Sequence, residues 1–155
     1  MRVLAVAFAG LLLASCSAAQ IGMPSSAAVL PESEIGAMLR QCSRATPPAG
    51  QGGWRPAAKD IVALETALPA ALADAPQARR MSNGAPPTGW LRQYVGIVRD
   101  GRRYVYGNYA PGRDASSGDW RRRPMIVCDG GPDFFGVEYD VEGRRFTHLA
   151  FNGML

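Results

Sequence analysis

Apolar positions in the first half of the chain recur at helical spacing. Ile35, Met38, Leu39 and Cys42 follow Ser33, which can cap a helix over residues 34–43. Thr46-Pro47-Pro48 through Gly53 breaks the pattern. A second stripe, Ile61, Leu64, Leu68 and Leu72, follows Pro56, a residue suited to a first helical turn. Pro69 falls inside this stripe, where a ring without an N–H predicts a kink or a restart.

From Trp90 onward the pattern changes to that of strands. Residues 90–98 and 102–109 flank Asp100-Gly101, a strong hairpin dipeptide. Residues 125–128 read as a short strand closed by Asp129-Gly130-Gly131. Residues 134–139 and 145–151 flank a turn around Glu142-Gly143. The Pro/Gly/Ser-rich stretches 74–89 and 111–119 read as loops. Helices followed by hairpins predict an α+β fold: two N-terminal helices packed on one face of an antiparallel sheet of about five strands.

The N-terminus follows different rules. Met1-Arg2 precedes an apolar run over residues 3–14, then Ser15-Cys16. A positive start, an apolar stretch of about 7–15 residues and a small-residue boundary make an export signal. The run is shorter than the roughly 20 apolar residues of a membrane span. Leu13-Ala14-Ser15-Cys16 resembles the lipobox of bacterial lipoproteins. That resemblance implies removal of residues 1–15, diacylation of the Cys16 sulfur and acylation of its new amino group. The acyl chains would hold the protein on a membrane. Ser17, where an Asp would favour inner-membrane retention in enteric-type bacteria, implies the outer membrane, facing the periplasm. An ordinary secretory signal cut near Ala14 or Ala19 is the alternative. Residues 16–31 then read as the lipidated Cys and a flexible tether, and residues 32–155 as one domain.

Cleavage would leave about 140 residues, an ordinary size for one domain. The chain carries 17 basic and 13 acidic residues, and cleavage removes only Arg2 from these. Such a mildly basic balance does not imply nucleic acid. With Cys16 assigned to lipid, Cys42 and Cys128 remain of the three cysteines. Export to an oxidising compartment implies that they pair; two buried free thiols are the alternative. With one histidine and no Cys-x-x-Cys pair, neither metal nor other cofactor is expected.

Candidate chemistry is sparse. Trp120-Arg121-Arg122-Arg123 could bind phosphate or carboxylate groups of lipid headgroups, an envelope polymer or an acidic protein. A solvated edge strand protected by charge would look the same. His148 is expected on one strand face with Phe146 and Ala150. Asp129, Asp133, Glu138 and Asp140 bracket a Gly-rich turn and a strand, but lack the spacing of an EF-hand loop. Seven aromatics, Tyr94, Tyr104, Tyr106, Tyr109, Phe134, Phe135 and Tyr139, fall on strands as core packing or as a binding platform. The block Cys128-Asp129-Gly130-Gly131, residues 135–140 and Phe151-Asn152-Gly153, with residues 93–97, resembles small exported bacterial proteins and carries no implied activity.

Three functions are compatible with these features. The first is a non-enzymatic, membrane-anchored envelope module that binds a protein or polymer, in the manner of an inhibitor or immunity protein. The second is a small envelope hydrolase using His148 or a pair of the carboxylates, which needs two such groups converging on one cleft. The third is a structural subunit of an envelope complex, which needs a large exposed apolar patch.

Overall fold

The computed structural model describes residues 23–81, 89–112 and 118–154. Cys16 and the signal lie outside the described residues, as do 17–22 of the tether and parts of both loops. The fold is mixed α+β, with six strands rather than about five. The elements run β1 (Ala27–Val29), α1 (Ile35–Met38), β2 (Gly52–Trp54), α2 (Ala58–Ala73), β3 (Leu91–Arg99), β4 (Arg102–Ala110), β5 (Phe135–Asp140) and β6 (Arg145–Phe151).

The helices therefore do not precede the sheet; two short strands are interleaved with them. The expected first helix contracts to the single turn α1, entered through a 3-10 turn at Glu32–Glu34. Four residues are too few to stand without tertiary support, and α1 draws it from Ile35 and Met38, both buried. The second helix runs unbroken through Pro69. Pro69 is exposed, so its ring and the hydrogen bond it forfeits both lie on the solvent side. Asp60 holds the start of α2, its Oδ2 accepting from the Ala57 N–H at 3.0 Å.

Strands β3 to β6 form an antiparallel meander in the order β3-β4-β5-β6. Asp100 and Gly101 turn the first hairpin with positive φ of 51° and 72°, as the dipeptide predicted. The free edge of β3 is shared. Its first half pairs parallel with β1, Ala28 opposite Gln93, and its second half pairs antiparallel with β2, Gly53 opposite Ile97. The fold thus begins before Glu32: the end of the stretch read as tether is a strand.

Alternation along β3 and β4 buries both sheet faces. Tyr94, Val105 and Tyr109 point to α2 and meet Ile61, Leu64, Leu68 and Leu72. Val95, Ile97, Tyr104 and Tyr106 point the other way and meet Leu30, Ile35 and Met38. The two helices therefore cover opposite faces, not one. Phe135 stacks on Tyr109 at 4.5 Å between ring centroids, with Trp90 and Phe151 at 5.8 and 5.6 Å.

Candidate functional site

A polar layer on the α1 side of the sheet organises the surface that could bind a partner. Gln93 and Asn108 face each other across β3 and β4, both buried. Gln93 Nε2 donates to the carbonyls of Trp120 and Arg123 at 2.5 and 2.6 Å. Its Oε1 accepts from the Met125 N–H at 2.7 Å. Asn108 Nδ2 donates to Gln93 Oε1 and to the Met125 carbonyl, and Asn152 Nδ2 to the Val127 carbonyl at 2.6 Å. The stretch 125–128 is therefore not a strand. Side-chain amides satisfy its backbone where a ladder would otherwise have to.

Arg44 completes the layer. Its guanidinium donates to Asn152 Oδ1 and Asn108 Oδ1, each at 2.6 Å, and to the Tyr106 hydroxyl at 3.4 Å. Its Nε–H is buried and finds no partner among the described residues. Gly136 lies directly beneath. A Cβ there would collide with the Tyr106 hydroxyl and come within 3.0 Å of Arg44 Nε, so only glycine leaves room. Two residues before Arg44, Cys42 is bonded to Cys128 across 86 residues, with Cα atoms 5.3 Å apart. The bond ties the segment carrying Arg44 to the amide-held loop. Both cysteines lie at the surface in irregular backbone, not in a helix and a strand.

The loop raises Trp120-Arg121-Arg122-Arg123 to the surface in consecutive turns, not in an edge strand. Trp120 is half-buried against the α1-side core, and Arg121 stacks on its ring at 4.2 Å. Arg121 also donates to the Ser25 carbonyl at 3.3 Å. Arg122 pairs with Asp119 at 3.6 Å and Arg123 with Glu34 at 3.3 Å, their side chains 83% and 78% exposed. A shallow cavity of about 210 Å³ lies alongside, walled by Trp120, Arg123, Ile126, Val127 and Phe134 among others.

The carboxylates and His148 do not converge. Asp129 is exposed at a left-handed position in a turn, φ 63°. Asp133 ends the 3-10 turn Gly131–Asp133. Asp140 is buried, accepts from the Gly143 N–H at 2.8 Å and pairs with Arg102. Burial pushes its carboxyl up, but the Gly143 hydrogen bond and Arg102 outweigh this and hold it below the ordinary value. Glu138 is buried between both Arg99 Nη atoms, at 2.6 and 3.0 Å, and the Thr147 hydroxyl at 2.7 Å. His148 stands opposite Glu138 in the β5–β6 pair, but its Nε2 is held 3.0 Å from the Ala45 carbonyl. An extra residue at Thr147 breaks the register. Phe146 therefore packs with Tyr139 on the α2 side, away from His148, and the expected shared face is split. Among the described residues no group of three His, Cys, Asp or Glu side chains is placed to hold a metal ion.

The seven aromatics are all buried and form no exposed platform: six pack in the two cores, and Phe134, just before β5, walls the cavity. Exposed large apolar side chains among the described residues are Met23, Ile126 and Met154. One polar cluster escaped the sequence reading. Glu65 on α2 accepts from the Tyr94 and Tyr109 hydroxyls, each at 2.6 Å, and from Arg92 Nε at 3.1 Å. Burial drives both phenols far above their ordinary range; the Glu65 charge adds to this. Glu65 directly follows Leu64 in the apolar stripe, the one hint the sequence offered. Gln93 and Asn108, amides in the middle of apolar strands, were a second unused signal; nothing local marked Arg44.

Comparison with models of known families, with curated proteins and with solved structures found no match to this chain.

Proposed function

We propose that this chain is a membrane-anchored lipoprotein of the cell envelope, acylated at Cys16, whose single domain serves as a binding module facing the periplasm. The observation that carries this reading is the Cys42–Cys128 bond. It joins the two cysteines that remain once Cys16 is given to lipid, and such bonds persist in oxidising compartments. The binding role draws support from how the domain uses its reactive groups. Glu138 and Asp140 are engaged with arginines, His148 with a backbone carbonyl. The exposed arginines stand instead on a loop fixed from beneath by buried amides.

The test is capture of an envelope protein or polymer by the intact protein, compared with the Trp120→Ala variant. Capture that depends on Trp120 supports the reading. Turnover of a cell-wall substrate, abolished by Glu138→Gln or His148→Ala while the fold is retained, would favour a hydrolase and defeat it.

A further inference from the structure

Three places in the fold bear on an activity beyond anchoring: the polar layer under Arg44, the outer edge of β6, and the Trp120–Arg123 loop. Arg44 spends its terminal nitrogens on neutral partners within the fold. The β6 edge carries Arg145, His148 and the Thr147 bulge, devices that discourage strand addition. The arginine loop leads further, because of where the chain enters the domain.

Arg121 reaches the Ser25 carbonyl, so the loop lies against the segment arriving from Cys16. About nine residues separate Cys16 from Ser25. Fully extended they span at most about 30 Å, and as a coil about 17 Å on average. The surface carrying Ser25 and residues 120–123 thus lies within tether reach of any lipid on Cys16. We propose that Trp120, Arg121, Arg122 and Arg123 form a docking face for anionic lipid headgroups, which lays the domain against the membrane beside its own anchor. This rests on the acylation of Cys16.

Guanidinium forks match phosphate oxygens. Arg122 and Arg123 are already paired: the Arg122–Asp119 pair is exposed on both sides and therefore weak, while Arg123 holds a Glu34 side chain that is only 14% exposed. Asp119 and Glu34 leave the cluster one net positive charge. Docking therefore depends on the high local concentration that a short tether imposes, rather than on affinity of the free domain. One exposed apolar side chain adjoins the arginines: Ile126, 47% exposed, shares the cavity wall with Trp120 and Arg123. Met23, 39% exposed, lies two residues before Ser25 in the chain. An Arg-rich surface with apolar neighbours suits the headgroup boundary.

The test uses the full protein extracted from membranes. It is reconstituted in phosphatidylethanolamine vesicles, with or without about one part in four of phosphatidylglycerol. Amide hydrogen exchange is followed over residues 118–127. The expected result is about fivefold slower exchange on the anionic vesicles, the effect of one uncompensated arginine near such a surface. High salt should reverse it. So should Arg121→Gln, Arg122→Gln and Arg123→Gln together, in a variant whose far-ultraviolet dichroism shows the fold retained. Equal exchange on both vesicles, or protection that survives the triple substitution, would overturn the proposal. The intact mass of the same sample separates the two ideas: unacylated Cys16 defeats anchoring and docking alike, whereas acylated Cys16 with unresponsive exchange defeats docking alone.

Discussion

Asp140 gives the fold an acid limit. Its carboxyl titrates below the ordinary value near 4 because Gly143 and Arg102 favour the charged form against the opposing effect of burial. Its contribution is present above the unfolded value and is lost as pH falls through the folded one. Asp140→Asn is expected to flatten the acid limb of a stability profile measured by urea unfolding between pH 5 and pH 2. The tyrosines act at the other extreme. Tyr94 and Tyr109 stay protonated in the fold well beyond pH 10, while the unfolded chain ionises there. Stability should therefore fall as pH rises above about 10. Alkaline titration should show tyrosinate absorbance from these two only as the far-ultraviolet dichroism collapses. Arg99→Ala would leave Glu138 buried and unpaired, at a cost of about 3 kcal/mol in urea unfolding. At this scale the sequence was legible where a residue's role is local, as with Asp100-Gly101. It was illegible where the role depends on a distant partner: Arg44 acquires meaning only from Asn108, Tyr106, Gly136 and Asn152, all far along the chain.

Among elements, length decided what could be read. The α2 stripe, four leucine or isoleucine positions over three turns, survived intact, and β6 appears where residues 145–151 predicted it. β1 and β2 are three residues each, too short to display a period of two. Ala-Ala-Val and Gly-Gly-Trp also lack the branched and aromatic density of strands. Both are strands because β3 offers them an edge. Residues 125–128 erred in the opposite direction, since a short apolar run cannot reveal that buried amides will take its hydrogen bonds. Pro69 gives a direct test of the helix. Its exposed position inside α2 forfeits a hydrogen bond without packing in return, so Pro69→Ala should raise stability, by about 3 kcal/mol at most, in thermal or urea unfolding. No change would mean that α2 is already distorted at that turn.

For the molecule as a whole, the cysteines join address and fold. We propose that one carries lipid; the other two close a loop of 86 residues. Such a bond stabilises by about 4–5 kcal/mol on the chain-entropy model. It also holds Arg44 and the amide-supported loop in one surface. Replacing Cys42 and Cys128 by serine should lower stability by about that amount and speed exchange over residues 118–130, in a protein that still folds around the α2 core. The central claim is the division of the three cysteines between anchor and bond, and intact mass of the membrane-extracted protein tests it most directly. The expected result is a chain beginning at Cys16 with its acyl groups, and two thiols available to alkylation only after reduction. A chain without acyl groups, or thiols at Cys42 and Cys128 that alkylate in the unfolded protein without reductant, would contradict it.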